Sequence, residues 1–157
     1  MLNVQCLTQV KMIQIQDFVD KSENIHIFCM VETHLTRDSI YRNANIKTIS
    51  KMRSIKDRKG GGLQILWKEN DDLLIEEVKT DAIDLMMINV KLGDIDFSLI
   101  LVYFSTNDDY RNEKMTKEIK ALLRKFENKK VMVIGDFNGH IGIISSQKLN
   151  KNGKKTT

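Results

Sequence analysis

The sequence predicts an α/β fold of the α+β kind, a sandwich in which mixed, largely antiparallel β-sheets pack with two main helices. Three observations lead to this class. Two segments, 25–31 and 131–134, are almost continuously apolar, which is typical of strands covered on both faces. A hairpin pattern at Gly93 implies antiparallel pairing. Two further segments, 9–22 and 108–125, carry apolar residues at helical spacing.

The composition indicates one globular domain, 1–157, without a membrane span. Hydrophobic residues make up 41% of the chain and charged residues 29%, which suits a single core. The net charge of +4 is compatible with a polyanionic partner but decides little by itself. Only Cys6 and Cys29 occur as cysteines, and no signal peptide opens the sequence, so we expect an intracellular protein, nuclear or cytoplasmic. No apolar run reaches the roughly 18 residues of a membrane helix, and the oligomeric state stays open.

The first predicted elements are a short strand over Leu2–Gln5, a helix over Gln9–Ser22 and a strand over Ile25–Val31. The helix follows from apolar residues at a period near 3.6. Its predicted buried side chains are Val10, Ile13 and Phe18, with Ile15 as a further candidate.

A turn, an edge strand and a glycine-rich strand are predicted next. Thr36–Arg42 suits a helical turn capped at its first residue, and Ile46–Met52 alternates like a strand near a sheet edge. Lys56–Lys59 is a charged loop. The triplet Gly60-Gly61-Gly62 opens the strand Leu63–Trp67 and suits a tight backbone approach or a bulge. Because the triplet lacks the G-K-[ST] ending of a P-loop, we exclude a nucleoside triphosphate site there.

The second half of the chain predicts three strands and a helix. The strands are Leu73–Val78, Ala82–Lys91 and Ile95–Phe104, and the last two are joined by a turn at Leu92-Gly93-Asp94. The segment Asp108–Lys125 is expected to be an amphipathic helix. The side chains predicted for its inner face are Met115, Ile119, Leu122, Leu123 and Phe126.

The strand Val131–Ile134 is followed directly by polar residues that are flanked by glycines. This pattern is typical of a strand that carries functional side chains at its end. Asp136 and Asn138 lie two residues apart and would project to one side if extended geometry persists. The carboxylate suits a metal or a water, and the amide suits a phosphoryl oxygen. The bracketing glycines would let the backbone approach a ligand closely. A polar tail over about 145–157 follows.

Polar side chains stand at the ends of several predicted strands, at positions far apart in the sequence. They are Asn3, Glu32, Tyr103, Asp136 and Asn138. In sheet-based enzymes ligands gather where strand ends converge. Mg²⁺ prefers oxygen ligands and needs only one or two carboxylates, which Glu32 and Asp136 would supply.

Each of these residues also has a simpler interpretation. Glu32 could mark a strand exit into a capped turn, and Tyr103 on an apolar strand could be a core residue. The D-x-N segment at 136–138 could be an ordinary turn. His34 and His140 lack the paired spacing of a zinc site. The lysines of the tail could contact a nucleic-acid backbone or form a solvated end.

Five short motifs occur in the order and approximate spacing found in the endonuclease/exonuclease/phosphatase superfamily. They are N-V-Q-C-L-T at 3–8, V-E-T-H-L at 31–35, G-G-G-L-Q-I-L at 60–66, L-V-Y-F-S-T-N-D at 101–108 and G-D-F-N-G-H-I-G at 135–142. The chain most resembles the endonuclease domains of non-LTR retrotransposons and craniofacial development protein 2-like sequences.

This resemblance implies a four-layer α/β sandwich with two mixed sheets flanked by helices. It also implies that Asn3 and Glu32 help hold Mg²⁺ or Mn²⁺, with Glu32 as the direct ligand. Asp136 would orient or deprotonate the attacking water and could also touch the metal, while Asn138 would donate to the phosphoryl oxygens. Tyr103 would hydrogen-bond the phosphate or assist the leaving oxygen. The implied reaction is hydrolysis of a phosphodiester in nucleic acid, with DNA favoured.

The superfamily continues to a second Asp and an S-D-H motif, and this sequence contains no S-D-H tripeptide. We therefore expect the chain to match the N-terminal part of such a domain and to have impaired turnover. Two alternatives remain open at this point. One is a non-catalytic remnant that binds metal or nucleic acid weakly, and the other is a phosphatase of the same superfamily.

Overall fold

A computed structural model describes residues 1–36, 45–53, 61–70 and 72–138, which contain eight strands and two helices. The strands are β1 (Leu2–Asn3), β2 (Ile27–Val31), β3 (Ile46–Lys51), β4 (Leu63–Lys68), β5 (Leu73–Val78), β6 (Leu85–Leu92), β7 (Ile95–Tyr103) and β8 (Lys130–Asp136). The helices are α1 (Gln9–Lys21) and α2 (Asp109–Lys125).

The strands form two four-stranded sheets, each with one parallel pair at its end. The first sheet has the order β1-β2-β4-β3 and the second has the order β5-β6-β7-β8. β1 pairs with β2 and β7 pairs with β8 in parallel, whereas every other pairing is antiparallel. The hairpin at Gly93 pairs Leu92 with Ile95. The prediction of mixed, largely antiparallel sheets is confirmed.

The sheets pack face to face, and one helix covers the outer face of each. Alternate side chains of the two sheets fill the space between them, for example Cys29 and Ile65 from the first sheet and Met86 and Leu101 from the second. The intervening side chains point outward and pack on α1 or α2, as the period of two along a strand requires. The described part of the chain therefore has four layers in the order helix, sheet, sheet, helix.

The predicted buried stripe of α1 is wrong in its phase. Three of the chosen side chains are exposed: Val10 at 65%, Ile13 at 57% and Phe18 at 54%. The inward face consists of Met12, Ile15 and the fully buried Val19, so the prediction is confirmed only for Ile15. Apolar residues occupy six of the ten positions from 10 to 19, so they surround the helix and leave its buried side undetermined.

The inner face of α2 is largely as predicted. Asp108 caps the helix by accepting a hydrogen bond from the backbone N–H of Arg111 at 2.9 Å. Met115 and Leu122 are buried, and two further predicted side chains pack against the same cluster. Leu123 is wrong, because its side chain is 40% exposed. It follows Leu122 directly and is rotated about 100° away from the sheet.

The strand β8 is less covered than its apolar sequence predicts. Its only neighbour among the described strands is β7. Met132 is 54% exposed, and Val131, Val133 and Ile134 are half-buried. Continuous apolarity does not distinguish a central strand from one at the end of a sheet, because it carries no information about neighbours.

Several predicted features lie outside the described residues. They are the turn after Thr36, the loop Lys56–Lys59, Gly60, His140 and the polar tail. Neither helix in the described part of the chain combines the length and apolarity that a membrane crossing requires.

Candidate active site

The five predicted site residues come together at one edge of the sandwich. Two hydrogen bonds cross from one sheet to the other. Asn3 Nδ2 donates to Asp136 Oδ2 at 2.9 Å, and the Tyr103 hydroxyl donates to Glu32 Oε1. Asn138 is bound to Asp136 through its backbone N–H, which donates to Oδ1 at 3.0 Å.

Strand register explains why these residues meet. In the first sheet Asn3 is the partner of Val31, so the carboxamide lies beside the end of β2, where Glu32 follows. In the second sheet Tyr103 is the partner of Asp136, and both strands end there. Because parallel strands end at the same edge of a sheet, each sheet delivers two polar side chains to one place.

Asn3 is held by the loop that follows it. Its Oδ1 accepts a hydrogen bond from the backbone N–H of Gln5 at 3.1 Å. Gln5 and Cys6 have left-handed φ values of 43° and 78°, which are uncommon for residues with a side chain. The Lys11 ammonium donates to the carbonyl oxygens of Val4 at 2.8 Å and Cys6 at 3.2 Å. Lys11 therefore holds this loop, a role that nothing in the sequence pattern indicates.

Glu32 occupies a strained position where β2 ends. Its φ of 55° lies in the left-handed region, which costs free energy unless the surroundings impose it. Two glycines supply that constraint, since Gly62 O accepts from Thr33 N and Gly61 O accepts from His34 N, both at 3.1 Å.

These two glycines make the tight backbone approach that the sequence predicts. Gly61 and Gly62 have φ values of 85° and 89°. A Cβ on Gly62 would lie 2.5 Å from Thr33 Oγ1, which no ordinary contact allows. The glycines therefore let β4 begin directly against the segment that carries Glu32.

The condition under which Asp136 and Asn138 would project to one side is not met. Strand β8 ends at Asp136, and Asn138 has a left-handed φ of 43°, so the extended geometry does not persist. Asn138 Nδ2 donates to the carbonyl oxygen of Phe104 at 2.7 Å. An amide nitrogen carries two hydrogens, which leaves one of them for another acceptor. Asp136 and Asn138 therefore form a turn, as the simpler interpretation predicts, and also lie at the candidate site.

Tyr103 is both a core residue and a site residue. It is 6% exposed and belongs to the cluster between the sheets, while its hydroxyl reaches Glu32. Burial raises the pKa of the Tyr103 hydroxyl above its usual range, and the hydrogen bond to Glu32 and the charges of Glu32 and Asp136 raise it further. The hydroxyl therefore stays protonated and donates a hydrogen bond.

We expect the Tyr103 hydroxyl to make stability depend on alkaline pH. Because its folded-state pKa is raised, its contribution to stability is complete below the usual tyrosine pKa of 10.0 and is lost as the pH rises above it. Urea unfolding at pH 8 and at about pH 11 should show a smaller alkaline loss of stability in Tyr103→Phe than in the parent. An equal loss in both proteins would contradict this assignment.

His34, two residues after Glu32, lies close to positively charged side chains. Burial lowers the pKa of His34 from its usual 6.5, and the charges of Arg53 and Lys11 lower it further. The Glu32 carboxylate acts in the opposite direction. His34 thus lies among both acidic and basic groups at the site edge.

Asp84 is a buried carboxylate behind the site that the sequence patterns do not indicate. It is 2% exposed, and its Oδ2 lies 3.2 Å from Arg111 Nη1. Its backbone oxygen accepts from Tyr103 N at 3.0 Å. A Cβ on Gly61 would lie 3.0 Å from its Oδ1. The backbone of Asp84 therefore binds Tyr103 directly, and its side chain lies beside Gly61, one of the glycines that position Glu32.

The site offers two carboxylates and one carboxamide to a divalent cation. Within the described residues no group of three or more His, Cys, Asp and Glu side chains lies close enough to hold a metal. Mg²⁺ does not require such a group, because it keeps several waters and takes one or two carboxylates. The donor chemistry of Glu32, Asp136 and Asn3 fits such a site.

Solved structures that are similar to this chain include the following two. One is the endonuclease domain of TRAS1, a telomere-specific non-LTR retrotransposon, with a TM-score of 0.65 and 15% sequence identity. The other is the 3′ phosphatase NExo from Neisseria bound to product DNA hairpin, with a TM-score of 0.56 and 16% identity. The alignments cover 89% and 87% of this chain, which spans 59% and 55% of those two structures. No family model and no curated protein matches the sequence.

Proposed function

We propose that this chain, which has the fold of the endonuclease/exonuclease/phosphatase proteins, forms one side of the active site of a metal-dependent phosphodiesterase that acts on nucleic acid. One observation carries the proposal. Two polar side chains from each sheet meet at a single edge and are joined by the bonds Asn3–Asp136 and Tyr103–Glu32. A purely structural contact would not require four hydrophilic groups at that edge, three of them from strand ends.

Glu32 and Asn3 would hold Mg²⁺ or Mn²⁺, with Asp136 beside them. The cation would supply electrostatic stabilisation of the charge that grows on the phosphoryl oxygens. The hydrogen bond from Tyr103 fixes the orientation of the Glu32 carboxylate. Because the only hydroxyl proton of Tyr103 is given to Glu32, direct donation from Tyr103 to the phosphate or to the leaving oxygen would require that proton to be redirected.

Asp136 would orient and deprotonate the attacking water. Each of its oxygens already accepts one hydrogen bond, from Asn3 and from the backbone of Asn138, so the carboxylate is held in one orientation. Each oxygen keeps a further lone pair for a water. The second amide hydrogen of Asn138 would donate to a phosphoryl oxygen of the substrate.

Nucleic acid is the proposed substrate class, with DNA favoured over RNA. The net charge of +4 suits a polyanionic partner. Of the two similar structures described above, one is a retrotransposon endonuclease domain and the other is bound to a DNA hairpin. An intracellular location, nuclear or cytoplasmic, would follow from this substrate.

A phosphatase activity is the second candidate function, because one similar structure is that of a 3′ phosphatase. The two reactions share the phosphoryl chemistry and differ in the position of the phosphate. An oligonucleotide with a 3′ phosphate and no other cleavable end distinguishes them, since the phosphatase releases inorganic phosphate and the endonuclease shortens the strand.

We expect Glu32→Gln to abolish divalent metal binding, because it removes the carboxylate charge that attracts the cation. Titration with Mn²⁺, followed by the electron paramagnetic resonance signal of the free ion, should show weak binding to the parent. The matched control is Glu76→Gln, which changes an exposed glutamate on β5 and should bind as the parent does. Equal binding by both variants would show that Glu32 is not a ligand.

Magnesium-dependent nicking of supercoiled plasmid tests the proposed reaction. The chain should be assayed alone and fused to the C-terminal half of a related complete domain, with EDTA as the control. The fusion is expected to nick the plasmid and the 157-residue chain to have almost no activity. A fusion that folds, binds Mn²⁺ and leaves both plasmid and 3′-phosphorylated oligonucleotide intact would favour the non-catalytic alternative.

A further inference from the structure

We propose that Arg53 and His34 form a second phosphate-binding subsite beside the candidate active site. It would take a backbone phosphate of the nucleic-acid strand other than the one that is cleaved. This inference rests on the proposed function, because it assumes a polynucleotide substrate. It adds a contact that the five residues of the candidate site do not provide.

Arg53 lies at the same edge of the first sheet as Glu32. It comes two residues after β3, whose last residue, Lys51, is the register partner of Leu63. Leu63 is in turn the partner of Val31, the residue before Glu32. The chain segments that leave β2 and β3 therefore emerge side by side, on either side of the start of β4.

Direct contacts fix Arg53 close to His34. Arg53 N donates to the carbonyl oxygen of Leu35 at 3.1 Å, and His34 N donates to Gly61 O at the same distance. A Cβ on Gly61 would lie 3.7 Å from Arg53 Cβ. His34 is thus bonded to the glycine segment that positions Glu32, and Arg53 is bonded to the residue after His34 and lies beside the same segment.

Both side chains carry polar atoms that lack a partner. Arg53 Nε and His34 Nε2 are buried, and neither has a hydrogen bond to any described residue. The Arg53 guanidinium also forms no ion pair within the described ranges. Buried polar groups in folded proteins are nearly always hydrogen-bonded, so two such atoms on neighbouring residues at a site edge call for an acceptor.

A phosphate is the acceptor that fits this chemistry. A guanidinium presents parallel N–H donors that match two phosphate oxygens, and a histidine can add one more hydrogen bond. Both residues are half-buried, so each side chain is restrained while part of it reaches the surface. A strand whose scissile phosphate lies at Glu32 and Asp136 would carry its neighbouring phosphates along the same edge.

Salt-dependent binding of fluorescent DNA tests the subsite. Affinity of the full chain for a labelled oligonucleotide should be measured in EDTA at several salt concentrations, so that metal binding plays no part. Arg53→Met is expected to lower the affinity roughly fivefold at low salt and to reduce the slope of log K against log salt by about one. His34→Gln should lower the affinity without changing the slope.

Two further variants make the result specific. Lys117→Met removes an equal charge from an exposed position on α2, where Lys117 pairs with Glu113 at 2.8 Å, and should leave both affinity and slope near those of the parent. Arg53→Lys keeps the charge but loses the paired donors, so it should restore the slope and only part of the affinity. It also provides a readout if Arg53→Met folds poorly.

The outcomes separate this subsite from the proposed function. If Arg53→Met and Lys117→Met weaken DNA binding equally, or if the parent chain does not bind DNA, the subsite is refuted. The metal titration of Glu32→Gln and the nicking assay then still decide the proposed function independently. If Arg53→Met alone changes the slope while Glu32→Gln binds Mn²⁺ normally, the subsite stands and the metal site does not.

Discussion

Asp136→Asn is expected to remove metal-dependent cleavage from the fusion of this chain with the C-terminal half of a related complete domain. Loss of a general base typically lowers the rate about 10²–10⁴-fold, because the attacking water keeps its proton. The substitution keeps the shape of the side chain and preserves an oxygen that can accept from Asn3. The measurement is the initial rate of plasmid nicking at saturating Mg²⁺.

The matched control for this prediction is Asp94→Asn, which changes an exposed aspartate in the turn between β6 and β7 and should leave the rate unchanged. Asn138→Ala should also lower the rate, since it removes the proposed donor to the phosphoryl oxygen. Cleavage by the fusion that survives Asp136→Asn would show that the catalytic strand has been misidentified. Robust cleavage by the unextended chain that survives the same substitution would overturn the expected need for the S-D-H segment as well.

The second large effect is expected for Gly135→Ala. Gly135 is the register partner of Val102 in the parallel pair of β7 and β8. A Cβ at this position would lie 2.0 Å from the Val102 carbonyl oxygen, so the strands would have to separate. We expect a loss of about 3 kcal/mol in the free energy of unfolding, since overpacking and backbone strain add together. Urea unfolding followed by circular dichroism measures it.

Gly93→Ala is the control for the effect of a methyl group at a glycine. Gly93 has a left-handed φ of 56°, and nothing lies within 4 Å of its Cβ position. The cost there is only the backbone strain, about 1 kcal/mol. If both alanine variants lose the same stability, the close approach of Gly135 to Val102 does not exist. The sequence suggested that Gly135 makes room for a ligand, whereas the structure shows that it makes room for the neighbouring strand.

Local patterns were sufficient for most of the fold. The strand Leu73–Val78 has the predicted bounds, and the hairpin at Gly93 lies where the turn residues indicate. These features depend on residues next to one another in the chain. The buried side of α1 and the exposure of Met132 depend on which elements lie alongside, and no local pattern contains that information.

The convergence of polar strand ends could be predicted, but their individual partners could not. Motif order and strand ends indicated that Asn3, Glu32, Tyr103 and Asp136 belong together. Whether Asn3 meets Asp136 or Glu32 depends on how one sheet lies over the other, which is a property of the core between them. Lys11 and Asp84 were missed for the same reason, since a lysine on a helix and an aspartate before a strand are ordinary locally.

The two cross-sheet hydrogen bonds also constrain the order in which the molecule can assemble. They join residues that are 71 and 133 positions apart in the chain, whereas the ladder between β6 and β7 joins close neighbours. Long-range contacts of this kind form only after the intervening chain has collapsed. During synthesis from the N-terminus, Asn3 leaves the ribosome long before Asp136. Its carboxamide therefore lacks its carboxylate partner until β8 has been synthesised.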